Sequence, residues 1–301
     1  MTKVVVAGGS GLVGRNLAKR LADDGVEVVL LSRRESLPDL PSGVRTASWQ
    51  GLAQHLCGAD AVVNLAGEGI ADARWTPARK ELLRSSRLDT TSRLVAALAI
   101  AEPRPSVLVN ASAIGIYDGR SMVQADEDSL PGTGFLQDLC RDWEAAADAA
   151  KSLGVRVVKL RIGVVLAQNG GALGKMAAPV KYGFGAALGH GRQGISWIHI
   201  EDLVGMILRA IRDPAWAGTF NATAPTPVSN ADFTRTLGLV LHRPVFPVPG
   251  WLTATAVKIL AGEVAKDLLL AGDFVVPKRA LELGFEFRFP TAEAALRDLL
   301  S

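Results

Sequence analysis

Three glycines near the start of the chain, Gly8, Gly11 and Gly14, are spaced so that the backbone between them could bind a pyrophosphate. Gly8 permits a tight turn, Gly11 lets the backbone approach the phosphates, and Gly14 lets a following helix close onto a preceding strand. The start of that helix offers N–H groups and a partial positive charge to an anion. These glycines therefore predict a dinucleotide-binding turn. Its other contacts are expected from Ser10, Leu12 and Val13.

The glycine spacing is informative because of the elements on either side of it. Residues 3–7 form a short β-branched run, long enough for one buried parallel strand. A helical pattern of apolar residues runs from Leu12 to Leu21. Strand, glycine turn and helix in this order are the context in which the spacing indicates a dinucleotide site. The alternative is a glycine-rich turn that binds nothing.

The second predicted strand, residues 27–31, is followed directly by Ser32, Arg33 and Arg34. A cofactor with a free ribose 2′-hydroxyl prefers a carboxylate at this position, whereas a 2′-phosphate prefers arginine. No acidic residue occurs here before Glu35. The sequence therefore predicts NADP(H) as the cofactor. The alternative is that both arginines are ordinary solvated surface residues.

A further strand is predicted at residues 60–66, where small residues follow a buried apolar run. Backbone at such a strand end can lie against the adenosine and the pyrophosphate. We expect these contacts from Leu65, Ala66 and Gly67.

Strand and helix patterns alternate through the first 165 residues. Long helical patterns over residues 77–101 and 134–153 separate strands predicted at 107–111 and 155–160. This alternation predicts an α/β fold with a doubly wound parallel sheet, which forms the NADP-binding Rossmann domain over residues 1–165.

In residues 166–301 the pattern changes to glycine-rich loops and further helical stretches. This pattern predicts a smaller, mostly helical C-terminal lobe that holds the substrate. Glycine-rich loops are expected between residues 170 and 194. Residues 196–222 are expected to return to the first domain. Helical patterns occur again at residues 230–241, 252–270 and 291–300.

Composition narrows the function classes further. The chain is 49% hydrophobic and 21% charged, as in globular proteins. Its 33 basic and 30 acidic residues form no basic block that would suit nucleic acid. Neither the two cysteines nor the four histidines show metal-ligand spacing. Charged residues interrupt the apolar stretch 251–271, which favours buried helices over a membrane span. We expect a cytoplasmic protein.

The glycine turn, residues 64–67, residues 161–163 and residues 197–202 together resemble the extended short-chain dehydrogenase/reductase superfamily, in its NAD-dependent epimerase/dehydratase-like branch. This resemblance implies a Rossmann fold that binds NADP(H), with Ile162 in the cofactor site.

Three more stretches are similar to one atypical group of that branch. They are residues 66–75, residues 189–193, and a tail with Pro-Lys-Arg at 277–279 and Gly-Phe at 284–285. The group carries a short C-terminal domain of unassigned function. The resemblance therefore implies a cofactor far more specifically than it implies a substrate.

The superfamily uses a tyrosine as acid and base, together with a lysine four residues later that lowers the pKa of the phenol. Neither of the two tyrosines, Tyr117 and Tyr182, has a lysine at that spacing. The resemblance places the two positions at about Leu136 and Cys140, which cannot transfer a proton in that role. The usual dyad is absent, whereas cofactor binding does not depend on it.

Ser112 and Tyr117 are the candidate catalytic residues. The resemblance places Ser112 near the superfamily's catalytic serine, and Tyr117 at a tyrosine that lines the substrate side. A phenol over the nicotinamide could donate a proton to a carbonyl oxygen while hydride arrives from the cofactor. The alternatives are a strand-end hydrogen bond for Ser112 and a loop hydrogen bond for Tyr117.

Four more residues are candidates for substrate contacts. Arg192 and Gln193, on a glycine-rich loop, could hold an anionic or sugar-like substrate. Arg74 and Trp75 could line the same cleft. The alternatives are arginines in solvent and a tryptophan that only anchors its loop to the core.

Two functions fit these residues. The first is an NADP(H)-dependent oxidoreductase or epimerase-like enzyme on a small polar carbonyl or sugar-like substrate. The second, suggested by the missing dyad, is a non-catalytic NADP(H)-binding sensor or scaffold. Either is expected to be a monomer or homodimer, without a nucleic-acid or membrane partner.

Overall fold

The structure is a computed structural model that describes residues 1–33, 40–119, 122–168, 170–261 and 270–300. Arg34, one of the predicted cofactor ligands, lies outside the described residues. The elements of the first half are β1 (Lys3–Ala7), α1 (Leu12–Asp23), β2 (Glu27–Leu31), β3 (Val44–Ala47), α2 (Leu52–Leu56), β4 (Ala61–Asn64), α3 (Pro77–Ile100), β5 (Val107–Ala113), β6 (Gln124–Ala125) and α4 (Phe135–Asp148).

The elements of the second half are β7 (Arg156–Ile162), β8 (Val164–Leu166), α5 (Gly171–Lys181), β9 (Gly194–Ile195), β10 (Trp197–His199), α6 (Ile200–Arg212), β11 (Gly218–Ala222), β12 (Val228–Ser229), α7 (Asn230–Val240), α8 (Gly250–Ala261), β13 (Phe274–Val275), α9 (Lys278–Glu282) and α10 (Ala292–Leu300). Short 3₁₀ turns follow β5 at Ile114–Ile116 and α4 at Ala149–Leu153.

Seven parallel strands form the central sheet in the order β11-β7-β5-β4-β1-β2-β3. The first strand lies inside the sheet, where Val5 is paired with Val29 of β2 and Val62 of β4. The chain winds from β1 toward β3 on one side and from β4 toward β11 on the other. This arrangement confirms the predicted doubly wound parallel sheet. In such sheets ligands bind at the carboxyl ends of the strands, at the point where the winding reverses.

Both faces of the sheet are buried, which explains the continuous apolar runs in its strands. On one face, Val4 and Val6 of β1 pack in a cluster with residues of α1 and α6. On the other face, Val5 and Ala7 pack with residues of α2, α3 and α4. The strand end that carries the glycine turn is therefore fixed from both sides.

Helices α5, α7 and α10 surround a third apolar cluster, which includes the fully buried Trp197 and Phe233. The expectation of loops between residues 170 and 194 is wrong at α5. The good helix formers Leu173, Lys175, Met176, Ala177 and Ala178 support that helix despite Gly174 and Pro179. Two-residue strands β6 and β13 pair although they are far apart in the chain. Among the described residues, no helix is both long and apolar enough to cross a membrane.

His199 and Asp202 hold the C-terminal lobe to α6. His199 caps the helix, because its Nδ1 accepts the Glu201 N–H at 3.1 Å, and its ring stacks on Phe289 at 3.8 Å. The carboxylate of Asp202 accepts the backbone N–H groups of Arg288 and Phe289, at 2.8 and 3.0 Å. The lobe is therefore joined to the helix by buried polar contacts as well as by apolar packing.

Burial lowers the pKa of His199 below its ordinary value of 6.5, although three nearby carboxylates oppose the shift. As the pH falls below 6.5, the unfolded chain binds a proton that the native chain does not, so the free energy of unfolding decreases until the native pKa is passed. We expect urea unfolding to show a smaller decrease from pH 7.5 to pH 5.5 in His199→Asn, since asparagine also caps helices. An equal decrease in the wild type and in His199→Asn would show that His199 does not cause this pH dependence.

Candidate functional site

Gly8 has a left-handed φ of +79° and lies against the loop that follows β4. A Cβ atom at Gly8 would lie 2.6 Å from the carbonyl carbon and oxygen of Leu65. A Cβ atom at Gly14, in α1, would lie 2.5 Å from the carbonyl oxygen of Gly8. The positive φ fits the tight turn predicted at Gly8, and the contact at Gly14 fits the predicted close approach of the helix, whereas the contact of Gly8 with Leu65 was not predicted.

Gly9 is also required by packing, although the spacing argument gives it no role. A Cβ atom there would lie 2.5 Å from Cδ2 of Leu30. Leu30 is fully buried in β2, so its side chain cannot move aside without disturbing the core. Only the position of β2 beside β1 reveals this constraint.

The N-terminus of α1 is open to a ligand. Its N-cap residue, Gly11, makes no side-chain hydrogen bond, and the first turn contains no acidic residue. Helices α3 and α7 are capped by the side chains of Thr76 and Ser229, whereas α4 and α5, like α1, begin after a glycine without a side-chain cap. Because no side chain of the described residues caps the first N–H groups of α1, these groups can bind an anion such as a pyrophosphate. The geometry of the turn therefore fits a dinucleotide.

The predicted cofactor residues lie at one edge of the sheet, where the carboxyl ends of the parallel strands meet. Ser32 and Arg33 follow β2, the loop 65–67 follows β4, and Ile162 ends β7. The side chain of Arg33 is 88% exposed. The structure brings these residues to the edge that carries the glycine turn, and their contact with a cofactor stays a prediction.

A buried polar network fixes the loop after β4. Asn64 donates to Thr91 Oγ1 at 2.9 Å and to Asn110 Oδ1 at 2.7 Å, and its own Oδ1 accepts the Ala66 N–H at 3.2 Å. Thr91 also accepts from Nε1 of Trp143 at 3.0 Å. Sequence reasoning missed this network, whose visible signal is a polar Asn64 at the end of an apolar strand.

We expect Thr91→Val to lower the free energy of unfolding by about 1–3 kcal/mol, because it leaves the buried Trp143 N–H without an acceptor. NADPH binding should weaken as the 65–67 loop loses its anchor. Thr255→Val is the matched control, since Thr255 makes the same hydrogen bond to the carbonyl four residues earlier but is exposed. Urea unfolding measures the free energy of unfolding of both variants. Equal losses in Thr91→Val and Thr255→Val would contradict the role of the network.

Ser112 and Tyr117 belong to one buried network. Ser112 Oγ donates to Glu144 at 2.8 Å, and Glu144 pairs with Arg161 through contacts of 2.8 and 3.2 Å. Arg161 also donates to the Tyr117 hydroxyl at 2.9 Å, and that hydroxyl donates to Asn221 Oδ1 at 2.8 Å. These five residues are at most 8% exposed.

The direction of these hydrogen bonds limits what the two hydroxyls can do. Both hydroxyl hydrogens are donated inside the network, so Ser112 and Tyr117 can offer only lone pairs to a ligand. Burial raises the pKa of the Tyr117 phenol above 10.0, although Arg161 opposes the shift. Each hydroxyl is hydrogen-bonded inside the protein, but the partners of Tyr117 are side chains of β7 and β11 rather than loop atoms. A catalytic role for either residue stays a prediction.

The two positions of the usual dyad hold no proton-transfer pair. Leu136 and Cys140 lie on α4 and are 7% and 3% exposed. Burial raises the pKa of the Cys140 thiol to about 12. The thiol therefore stays protonated near neutral pH and cannot replace the lysine.

The candidate substrate residues Arg74 and Trp75 lie on the loop between β4 and α3. Trp75 is buried, donates its Nε1 proton to the Ile70 carbonyl at 2.9 Å, and packs edge-on against Phe135 at 5.3 Å. Arg74 donates to the backbone carbonyl of Ile259 in α8. Trp75 anchors the loop, while Arg74 joins it to the C-terminal lobe, and substrate contact by either stays a prediction.

Arg192 and Gln193 occupy different environments although they are adjacent. The Arg192 side chain is exposed, and its backbone N–H donates to Nδ1 of His190 at 3.0 Å. Gln193 is 2% exposed and donates to the Leu188 carbonyl at 3.0 Å. Arg192 is therefore the more accessible of the two to a substrate. In the part of the chain that is described, no three metal-binding side chains form a group that could hold an ion.

The sheet, the glycine turn and the open helix terminus define a dinucleotide-binding protein of the Rossmann type. Residues 4–222 match the NAD dependent epimerase/dehydratase family, and residues 252–299 match a domain of unknown function, DUF1731. The chain belongs to the NAD dependent epimerase/dehydratase family. The predicted resemblance to the atypical group with a short C-terminal domain is confirmed.

Two similar proteins each match nearly the whole chain. An epimerase family protein SDR39U1 homolog, chloroplastic, from Arabidopsis thaliana is 40% identical over 309 residues, which cover 99% of this chain and 86% of that protein. The epimerase family protein SDR39U1 of Homo sapiens is 36% identical over 304 residues, covering 99% of this chain and 100% of that protein.

Solved structures show the same fold. The crystal structure of human SDR39U1 (isoform 2) with NADPH has a TM-score of 0.89 and 35% identity, and covers 99% of each chain. The UDP-N-acetylglucosamine 4-epimerase of Bacillus cereus has a TM-score of 0.78 at 17% identity, with 99% and 98% covered. The second likeness concerns the fold alone.

Proposed function

We propose that this protein is an NADP(H)-dependent oxidoreductase of the epimerase family, acting on a small polar carbonyl or sugar-like substrate. The observation that carries the proposal is the uncapped N-terminus of α1 beside Gly8 and Gly14, at the edge of the sheet where ligands bind. The bound cofactor would supply or accept the hydride. The chain would hold its pyrophosphate at the turn and its adenosine half against the 65–67 loop.

NADP(H) is favoured over NAD(H) on two grounds. The exposed Arg33 follows β2, where a 2′-phosphate would meet it, and Arg34 comes next in the sequence. The human relative, 35% identical to this chain, was crystallised with NADPH. A cytoplasmic location and a small-molecule substrate remain parts of this proposal.

Ser112 and Tyr117 remain the candidate catalytic residues in this proposal. To polarise a substrate carbonyl, either hydroxyl would have to turn its hydrogen away from Glu144 or Asn221. In the arrangement described above, the two oxygens would instead accept a hydrogen bond from a substrate hydroxyl. Two hydrogen-bond acceptors at this position suit an alcohol or sugar as the bound substrate, with NADP⁺ as the hydride acceptor.

The second candidate function is a non-catalytic NADP(H) sensor or scaffold. The observation in its favour is that the hydrogens of both candidate catalytic hydroxyls are engaged in the buried network. A sensor must bind NADP⁺ and NADPH with different affinities and respond in conformation without turnover. Equal affinities and an unchanged hydrogen-exchange pattern would count against it.

Calorimetric titration of nucleotide-free protein with NADPH, NADP⁺ and NADH tests which cofactor binds. The same titrations are repeated on the Arg33→Ala/Arg34→Ala variant. We expect NADPH to bind tightly to the wild type and poorly to the variant. Arg45→Ala is the control, since Arg45 is an exposed arginine on the neighbouring strand that pairs with Glu27 at 3.1 Å. Failure of every dinucleotide to bind would refute both functions.

Substrate-dependent NADPH oxidation, followed by stopped flow across a panel of carbonyl compounds, then separates the enzyme from the sensor. NADP⁺ reduction with a panel of alcohols and sugars tests the reverse direction. The Tyr117→Phe variant should lose turnover if the phenol acts in catalysis. Absence of turnover in both directions would leave the sensor as the supported function.

A further inference from the structure

An ion pair lies across the glycine turn. Arg33 follows β2, Glu68 lies in the loop after β4, and β1 separates these two strands in the sheet. Nη2 of Arg33 is 3.7 Å from Oε1 of Glu68. Because β2 and β4 are two strand spacings apart, about 10 Å, the two side chains meet over the carboxyl end of β1. The ion pair therefore spans the crevice in which the adenosine half of a dinucleotide would lie.

Glu68 has a second partner that is better fixed than Arg33. Nη1 of Arg79, in the first turn of α3, is 3.6 Å from Oε2 of Glu68. The side chain of Arg79 is 15% exposed, against 88% for Arg33. Arg79 also donates to the Gly69 carbonyl at 2.6 Å, and Arg87 donates to the Glu68 carbonyl at 3.0 Å. Glu68 can therefore release Arg33 and keep its place in the loop.

We propose that Glu68 determines cofactor specificity, because its carboxylate competes with the 2′-phosphate of NADP(H) for Arg33. This inference rests on the NADP(H) binding proposed above. When the phosphate arrives, Arg33 exchanges one anion for another while Glu68 keeps Arg79. NAD(H) brings no second anion to Arg33. For NAD(H) the carboxylate of Glu68 is instead a potential acceptor for the ribose 2′-hydroxyl, a role that acidic residues have in NAD-binding proteins.

Removal of the carboxylate should therefore favour NADPH over NADH. In Glu68→Gln, Arg33 loses the carboxylate that competes with the phosphate, and the repulsion between that carboxylate and the phosphate disappears. We expect the Kd for NADPH to fall about fivefold, the upper range for an exposed ion pair. The Kd for NADH should stay unchanged or rise. High salt should reduce the gain, because both charges are screened.

Calorimetric titration with NADPH and NADH, on the wild type, Glu68→Gln, Arg33→Ala and the double variant, tests the competition. Without Arg33, the Glu68→Gln substitution should no longer produce the full gain in NADPH affinity. Asp72→Asn is the matched control. Asp72 lies in the same loop but pairs with Lys175 of α5 at 3.8 Å, so its removal should leave the ratio of the two Kd values unchanged.

Three results would overturn the proposal. One is an equal change in affinity for both cofactors in Glu68→Gln, and another is a gain for NADPH that is undiminished in the absence of Arg33. The third is a loss for both cofactors, which would show that Glu68 only holds its loop. Failure of the wild type to bind either cofactor is a different result, since it would refute the proposed function itself.

Discussion

Gly8→Ala is expected to lower the free energy of unfolding by about 2–4 kcal/mol and to weaken NADPH binding by roughly tenfold or more. The φ of +79° is costly for alanine, and the new Cβ would lie 2.6 Å from backbone atoms of Leu65. Backbone atoms cannot rotate away as a side chain can. The β1 turn and the 65–67 loop must therefore separate, and these are the two surfaces proposed to hold the cofactor.

Gly25→Ala is the matched control for this prediction. Gly25 has a similar φ of +75°, but a Cβ atom there would meet nothing within 4 Å. The free energy of unfolding of Gly25→Ala should fall only by the cost of the left-handed backbone, about 1 kcal/mol. Its NADPH affinity should not change. Urea unfolding and calorimetry measure both variants. Equal losses of stability would show that the contact with Leu65 is unimportant.

Glu144→Gln is expected to lower the free energy of unfolding by about 3–5 kcal/mol. The substitution preserves shape but leaves the Arg161 guanidinium, 8% exposed, without its carboxylate partner. An uncompensated buried charge costs far more than the loss of an exposed ion pair, because water cannot solvate it. The same change should disturb Ser112 and Tyr117, since both are hydrogen-bonded to this pair.

Two comparisons test the electrostatic origin of this effect. In Glu144→Leu/Arg161→Met neither charge remains, so the double variant should be more stable than Glu144→Gln. Asp138→Asn removes a carboxylate from the exposed Asp138–Arg141 pair on the same helix and should cost less than about 1 kcal/mol. If Glu144→Gln unfolds at the same urea concentration as Asp138→Asn, the buried pair does not stabilise the fold.

The elements that the sequence predicts well are those whose pattern is local and repeated. Helix α3 begins at Pro77, where proline suits the first helical position, and its predicted bounds differ from the observed ones by one residue. The buried parallel strands are recognisable as short β-branched runs. Strand β3 was not predicted, because its residues 44–47 lie at the sheet edge and are only partly buried. Its apolar pattern is correspondingly weak.

The site is predicted less evenly than the fold. The glycine turn and its neighbouring strand ends follow from sequence, since each is a contiguous stretch. Glu144, Arg161 and Asn221 were not singled out as partners of Ser112 and Tyr117. They come from α4, β7 and β11, and no spacing along the chain connects them. The Arg33–Glu68 pair was missed for the same reason.

By itself the sequence determined the family, the parallel α/β fold and the dinucleotide turn, because alternating strands and helices and a glycine spacing are properties of neighbouring residues. The tertiary structure decided what the polar side chains do. It gave the hydroxyls of Ser112 and Tyr117 separate hydrogen-bond partners inside the protein, Glu144 and Asn221. It also placed the carboxylate of Glu68 opposite Arg33. Those outcomes depend on strand order, which brings together groups that are remote in the chain, and on burial, which determines the strength of the electrostatic interactions between them.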